Sequence, residues 1–467
     1  MDSTGSPSPV AALATSGRPL PIRTPRSATA TDDSAAAAAA EEPVSPTARL
    51  MEALYIVVTV GFGCPVNLPV FSAGIATQVA RYPRFRSIQV TDGCNNPRWE
   101  RTAVNVDDHM IVPTLDPVAV EADPDRAVDD YVASLPELPM DRSRPLWEFH
   151  FLDFPTSEAT STVVIRVHHS LGDGMSLIML LLASSRSAAD PTRLPTMQEL
   201  TVRTGAIYKP RHRQPPRAGA LAAFVAWVLP YLVLAWNTVV DVAFFAATAA
   251  FLRDPHTLFR RADHDVAFIS PRRFVRRSLS LDDVRFIKNA MNCTVNDVLV
   301  GATSAALSQY YFRKSGYSKT SKLCLRSILF VNTRPTTSLQ AYVNMIESGN
   351  NDDVAWGNQL GYILLPFHLA MHDDPLAYVR KAKKTVDRKK SSLEVIFTYK
   401  MTEIFLKMLG LKALVVHYQS YNNTLKVILS IGEEVFPDYT ELLDDFVESF
   451  GRIREAASRL STSIKKE

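Results

Sequence analysis

Val163-Val164-Ile165-Arg166-Val167-His168-His169-Ser170-Leu171-Gly172-Asp173-Gly174-Met175-Ser176-Leu177 is the stretch from which the fold is read. The β-branched residues from Thr162 to His168 alternate as a strand does. Val163, Ile165, Val167 and His169 fall on one face, and Val164, Arg166 and His168 on the other. Gly172 and Gly174 predict a sharp turn with room for a close approach of substrate. Met175 to Ala183 predicts a helix, too apolar to lie on a surface. Strand, tight turn and buried helix together make the most informative local pattern in the chain.

The same stretch carries chemistry. A histidine at a strand end has its ring held by the sheet. Near-neutral imidazole takes a proton from an alcohol during attack on a thioester and returns it to the leaving thiolate. An alcohol is a poor nucleophile at neutral pH without such help. Asp173 sits where the helix begins, placed to accept backbone N–H groups or to pair with an arginine. No G-x-S-x-G elbow, no cysteine beside a histidine, no H-E-x-x-H and no phosphate-cradling glycine loop occurs. Direct transfer therefore fits better than a covalent acyl-enzyme.

Working outward towards the N-terminus, Leu146 to Phe154 reads as an aromatic-rich strand. Asp123 to Leu135 reads as a helix with Ala127, Val128, Tyr131, Val132 and Leu135 on one face. Short strand-like pieces surround Asp107-Asp108-His109. Val70 to Ala80 reads as a helix, and Ala53 to Val60 as an apolar run broken at Gly61-Phe62-Gly63. Residues 1–46 are rich in Ser, Pro and Ala and predict a disordered tail. A plastid transit peptide has the same composition.

In the other direction, residues 186–217 read as a Pro/Arg-rich linker. Gly219 to Leu252 follows, almost wholly apolar with Asp241 its one charge, and flanked by Arg211, Arg213, Arg217 and Arg253. Ala220 to Val240 meets the length of a bilayer span, and Pro230 is tolerated in such helices. Membrane insertion or interfacial anchoring is the expected role, with a buried interdomain helix as the alternative. From about Phe274 a second domain is expected. Ser280 caps a helix reaching Met291, and Thr294-Val295-Asn296-Asp297 opens another to about Phe312. Leu323 to Val331, Leu360 to Pro366 and Leu425 to Ile431 read as strands. Asp374 to Ser391 reads as a charged, exposed helix, and Tyr439 to Leu460 as a closing amphipathic one. The domain plan is a tail over 1–46, domains over 47–200 and 274–467, and a connecting segment over 201–273.

The net charge of +3 gives no reason to expect nucleic acid. Cys64, Cys94, Cys293 and Cys324 show no metal-like spacing and read as reduced thiols. No bound cofactor and no metal are expected.

These motifs resemble those of the wax ester synthase/diacylglycerol acyltransferase family. His168 to Gly174 resembles its active-site signature. Pro145-Leu146-Trp147-Glu148 resembles its Pro-Leu-Trp segment, and Thr294 to Asp297 its Asn-Asp motif. Phe330-Val331-Asn332-Thr333-Arg334-Pro335 and Gly357-Asn358 also have counterparts. The resemblance covers roughly residues 50–460 and is closest to the plant branch. It implies two chloramphenicol-acetyltransferase-like α/β domains, mixed sheets flanked by helices, with an interdomain tunnel. It implies acyl-CoA as co-substrate, a long-chain alcohol or diacylglycerol as acceptor, and an endoplasmic reticulum membrane location facing the cytosol; plasma membrane and plastid are the alternatives. His169 maps to the family's base, with His168 and Asp173 beside it. Gly174, Asn296, Asp297, Pro145 and Trp147 would support the site, although Asp297 also fits a helix cap and Trp147 plain packing. Arg272, Arg273, Arg276 and Arg277 offer cations for CoA phosphates or for a membrane-facing basic patch.

One departure stands out. After Val416 the chain passes almost directly to His417-Tyr418-Gln419-Ser420-Tyr421, where the family carries several tens of further residues. An acyltransferase is the expected function. A catalytically impaired, membrane-associated acyl-CoA or lipid-binding homologue is the alternative that such a gap raises, and a soluble acyltransferase for phenolic or amine acceptors is a third.

Overall fold

The computed structural model describes residues 42–45, 48–49, 51, 54–91, 96–187, 189–195, 220–252, 257–259, 272–316, 320–334, 338–348, 356–409, 414–432 and 435–464. The tail expected over 1–46 and the linker expected over 186–217 lie mostly outside them. The chain forms two compact units, Met1–Thr192 with Leu339–Val354, and Arg193–Ser338 with Ala355–Glu467.

In the first unit, β1 (Glu42–Pro43), β3 (Ser87–Thr91) and β4 (Pro97–Arg101) make a small antiparallel sheet in the order β1-β4-β3. The main sheet contains β2 (Tyr55–Phe62), β5 (Met110–Ile111), β6 (Trp147–Leu152) and β7 (Ser161–His168), in the order β2-β7-β6-β5. Its β5–β6 pair is parallel and the others antiparallel, so the sheet is mixed. The strand read from sequence is thus β7, with a partner on each side, and Val163, Val164 and Val167 are buried within it. Helices α1 (Leu68–Thr77), α2 (Pro117–Ala122), α3 (Pro124–Ser134) and α4 (Gly174–Ala183) complete this part. The helix expected over Val70 to Ala80 begins earlier, capped by the Asn67 side chain, and gives way to a 3-10 turn at Val79–Arg81. Gly61 and Phe62 continue β2 instead of breaking it.

The second unit begins with α5 (Ala220–Ala250), followed by β8 (Arg272–Ser280), α6 (Leu281–Ala290), α7 (Val295–Ser315) and β9 (Thr320–Asn332). Helix α8 (Leu339–Ser348) returns to the first unit, where it packs against α4. Then come β10 (Leu360–Ala370), α9 (Leu376–Lys390), α10 (Glu394–Leu409), β11 (Leu414–Tyr421), β12 (Thr424–Gly432) and α11 (Tyr439–Ile464). β10 pairs with β9, and β12 lies between β11 and β8. Helix α7 opens with the predicted capping box: Thr294 N–H donates to Asp297 Oδ2 (2.8 Å) and Asp297 N–H to Thr294 Oγ1 (3.2 Å). It closes at Gly316, whose φ of +64° suits glycine. At Gly301 it meets α9 so closely that a Cβ would lie 2.9 Å from Val379 Cα.

Three sequence readings are corrected here. Helix α9 is not simply exposed, because Leu376, Tyr378, Val379, Ala382, Val386 and Lys389 form a buried face beneath its charges. β8, α8 and α10 lie outside the elements expected from sequence; the basic run Arg272-Arg273 and Arg276-Arg277 masks the alternation of β8. Leu414 to Tyr421, read as the edge of a gap, is a paired strand. It turns into β12 through Asn422 and Asn423, whose φ values of +43° and +63° suit a tight two-residue hairpin.

Helix α5 is tied to its unit by buried charge. Asp241, 1% exposed, accepts from Lys389 Nζ and from Arg388 Nη2, each at 2.8 Å. Lys389 also donates to Glu394 at 2.7 Å. Burial nevertheless outweighs Lys389 and holds the Glu394 carboxyl above its ordinary range. The network therefore fixes geometry more than it adds stability. Removing its cation should be costly: Lys389→Met should lower the unfolding free energy by ~3–5 kcal/mol. Denaturant titration checks this, and a loss under ~1 kcal/mol would contradict the assignment.

Candidate active site

The histidine pair sits where main-chain pairing of β7 runs past the end of the strand. His168 N–H donates to Leu146 O on one side, and His169 N–H to Leu54 O on the other, both at 2.9 Å. Leu171 N–H then donates back to His168 O at 3.0 Å, closing the turn. Asp173 caps α4, its Oδ1 accepting from Ser176 N–H at 3.0 Å, and it is fully buried. This is the first of the two roles its position suggested.

Sequence reasoning missed a relay behind His168. Ser170 N–H points at His168 Nδ1 (3.3 Å), so that nitrogen is an acceptor. The Ser170 hydroxyl, 2.7 Å from the same nitrogen, then donates to it. Gln89 Nε2 in turn donates to Ser170 Oγ at 2.7 Å. The chain of donors leaves the His168 proton on Nε2. Gln89 comes from β3, 81 residues from Ser170, and no spacing rule links them.

His168 and Ser170 are buried, and the His168 ring lies edge-on to Tyr55 at 5.3 Å. Arg166 stacks on Tyr55 (4.3 Å) and binds Glu148 (3.1 Å). Glu148 meets His150 at 3.3 Å, and the Tyr131 hydroxyl meets His150 Nδ1 at 2.7 Å. Burial raises the Glu148 carboxyl, but the His150 and Arg166 contacts prevail and hold it below the ordinary range. This polar layer backs the sheet under the pair.

His169 differs from its neighbours in being only half-buried. Gly174 is exposed, and a Cβ built on it meets nothing within 4 Å. Among the described residues the positive-φ glycines are Gly316 and Gly357. The motif glycines therefore do not serve through a left-handed backbone, as the expected turn implied; what Gly174 leaves is open space. Pro145 and Trp147 are buried. Trp147 donates from Nε1 to Phe85 O (3.0 Å) and stacks on His109 at 3.8 Å, so here it is a packing residue. His109 Nδ1 meets Trp147 O at 2.7 Å, and burial holds its imidazole below the usual range.

Asn296 and Asp297 belong to the second unit. Asn296 is exposed, and Asp297 is buried in the capping box. In the same unit Arg334 donates to Gly357 O and to Asn332 Oδ1 (3.3 Å), joining two of the motifs recognised separately in the sequence. Gly357 has φ +101°, which side chains rarely adopt. The arginines of β8 are engaged locally: Arg272 with Ser430 (3.3 Å), Arg273 over Tyr439 (5.5 Å) and Arg277 with Asp444 (3.6 Å).

Comparison with known proteins gives this geometry a context. The wax ester synthase/diacylglycerol acyltransferase from Marinobacter aquaeolei VT8 superposes with a TM-score of 0.53 at 16% identity, covering 89% of this chain and 100% of that one. The first condensation domain of the CDA synthetase superposes at 0.55 and 13%, covering 90% and 96%. At such identities the likeness is one of fold: two α/β domains of the condensation-domain type, as expected. Residues 27–299 match the wax ester synthase/diacylglycerol acyltransferase catalytic domain, and residues 356–415 and 411–454 match the WS/DGAT C-terminal domain. Wax ester synthase/diacylglycerol acyltransferase 11 of Arabidopsis thaliana is 37% identical, over 89% of this chain and 95% of its own length. Number 5 of the same plant is also 37% identical, over 89% and 93%. The fold is thus that of an α/β acyltransferase built from two such domains. The chain belongs to the wax ester synthase/diacylglycerol acyltransferase family. Relatives matched along nearly their whole length give no preference to the impaired-homologue alternative.

The relay predicts a measurable effect. Ser170→Ala should slow acyl transfer roughly tenfold, the worth of one hydrogen bond of about 1.4 kcal/mol. Steady-state rates at saturating substrate check it, and an unchanged rate would show that His168 needs no such support.

Proposed function

We propose that this chain transfers a fatty acyl group from acyl-CoA to a long-chain alcohol, to diacylglycerol, or to both. His169 is the general base. The observation carrying this reading is the half-buried His169, whose N–H is held by Leu54 O just past the last residue of β7, in a turn that leaves open space around Gly174. The other members of the turn, His168, Ser170 and Asp173, are buried.

The alcohol oxygen attacks the thioester carbonyl carbon while its proton passes to the imidazole of His169. The tetrahedral adduct then expels the CoA sulfur as the C–S bond breaks. The imidazolium returns the proton to that sulfur, leaving ester and free CoA thiol. Base assistance of this kind contributes ~10²–10⁴-fold. His168 holds the strand end, Asp173 holds the start of α4, and neither takes the proton. Asp297, with Thr294, sets the start of α7, and Asn296 lies exposed in its first turn.

Two further readings belong to this proposal. The enzyme works at a membrane, and the endoplasmic reticulum facing the cytosol is the location we propose, supported by the apolar helix α5. The chain lacks a segment near Val416 that the family carries, supported by the C-terminal match falling in two pieces, residues 356–415 and 411–454. The sheet β11-β12-β8 is nevertheless paired throughout, so such a gap is compatible with activity.

Full chain in membranes, given labelled acyl-CoA with fatty alcohol or diacylglycerol, should form labelled ester. His169→Ala should lower the rate by ~10² or more while acyl-CoA still binds. Ester formed at the wild-type rate by His169→Ala would overturn the assignment.

A further inference from the structure

Helix α5 divides into two halves of different character. From Asn237 onward it is bound to its own unit. Asn237 Nδ2 donates to Ser391 O (3.1 Å), Thr238 Oγ1 accepts from Leu393 N–H (3.0 Å), and Asp241 joins Lys389 and Arg388. Phe245 packs with Tyr362 and Leu364, and Thr248 accepts from Arg326 (3.3 Å). From Phe224 to Trp236 the helix is apolar on every side and exposed on nearly every side. Trp227 is 57% exposed, Leu232 60% and Trp236 69%, against 1% for Asp241. A surface this apolar does not persist in water without a partner.

The path of the chain fixes what kind of partner this is. The chain leaves the first unit after Thr192, runs through α5, and builds β8 to β9 of the second unit. It then returns to the first unit as α8, which packs on α4. If α5 crossed a bilayer, β8 to β9 would lie across it from α4, and the chain would have to cross back between Asn332 and Leu339. A crossing needs about 20 apolar residues, and that stretch is far too short. Among the described residues α5 is the one helix long and apolar enough to cross.

We infer that α5 is a one-face membrane anchor: its exposed half, up to Trp236, sinks into one leaflet, and both its ends stay on the same side. This rests on the membrane association proposed above. The occupant is an anionic lipid surface. Trp227, Tyr231 and Trp236 are residues that favour the headgroup boundary. Where the bound half begins, α9 ends at Arg388 and Lys390, 38% and 43% exposed, on a helix with seven basic residues and one acid. Such clusters attract anionic headgroups. Arg211, Arg213, Arg217 and Arg253 flank the apolar stretch in sequence. Asp241, with its buried partners, sets the limit of insertion, because that network cannot enter hydrocarbon without losing its protein contacts.

The test uses full chain made in the presence of sealed microsomes, with a tagged protease site inserted after Gln214 or after His264. The expected result is flotation with the membranes and cleavage at both positions by protease added outside. A membrane-bound chain protected at one position would overturn the one-face anchor while leaving membrane association intact. A chain that does not float would overturn both. Trp227→Glu with Leu232→Glu should cut flotation roughly tenfold or more, with an unchanged melting profile, and vesicles of phosphatidylcholine should bind less than those containing phosphatidylserine. If the double variant instead breaks up a lipid-free oligomer and floats normally, the exposed half is a contact between copies and the inference fails.

Discussion

The structure depends on the hydrogen bonds that hold β7 on one side at its last residue and on the other at the residue after it. A strand end is ordinarily where pairing frays. Here Leu146 and Leu54 each accept one further N–H, from His168 and His169 in turn, so two consecutive residues are fixed to opposite neighbours. Consecutive residues of a strand face opposite sides of the sheet. One imidazole is therefore committed to the buried polar layer of Tyr55, Arg166 and Glu148, and the next keeps access to solvent. The division of labour within the pair follows from pleat geometry, without any difference in the side chains themselves.

That geometry is supported from a distance. On β6, Trp147 is locked by His109 and Phe85, and its backbone neighbour Leu146 is one of the two acceptors. On β3, Gln89 orders Ser170, which orders His168. The residues flanking the motif act through packing and hydrogen-bond direction, which accounts for an active-site signature longer than its chemistry requires. In the second unit the joined motifs around Asn332, Arg334 and Gly357 similarly fix where β9 ends and β10 begins.

Much of this was legible in the sequence, and the limits have physical causes. Alternation of Val163 to Val167 gave β7, because that strand is buried and strongly β-branched. Thr294 and Asp297 gave the start of α7, because a capping box is a local bond between residues three apart. The relay through Gln89 was not legible, since it joins residues distant in sequence through side chains of ordinary type. β8 was obscured by arginines whose stems lie along the sheet while their heads find Ser430, Tyr439 and Asp444. The buried side of α9 was hidden by the density of lysine on its other side. The role of α5 needed topology: hydropathy marks a span, and only the return of α8 to the first unit separates crossing from anchoring.

The central claim is that an imidazole at the end of β7 removes the acceptor's proton. Its most direct test is the pH dependence of kcat/KM for ester formation by the wild-type chain. An acid limb is predicted, with kcat/KM falling about tenfold per pH unit as the base takes up a proton. A rate that stays flat from about pH 5 to 8 would contradict it, because no histidine could then be accepting the proton in the rate-determining step.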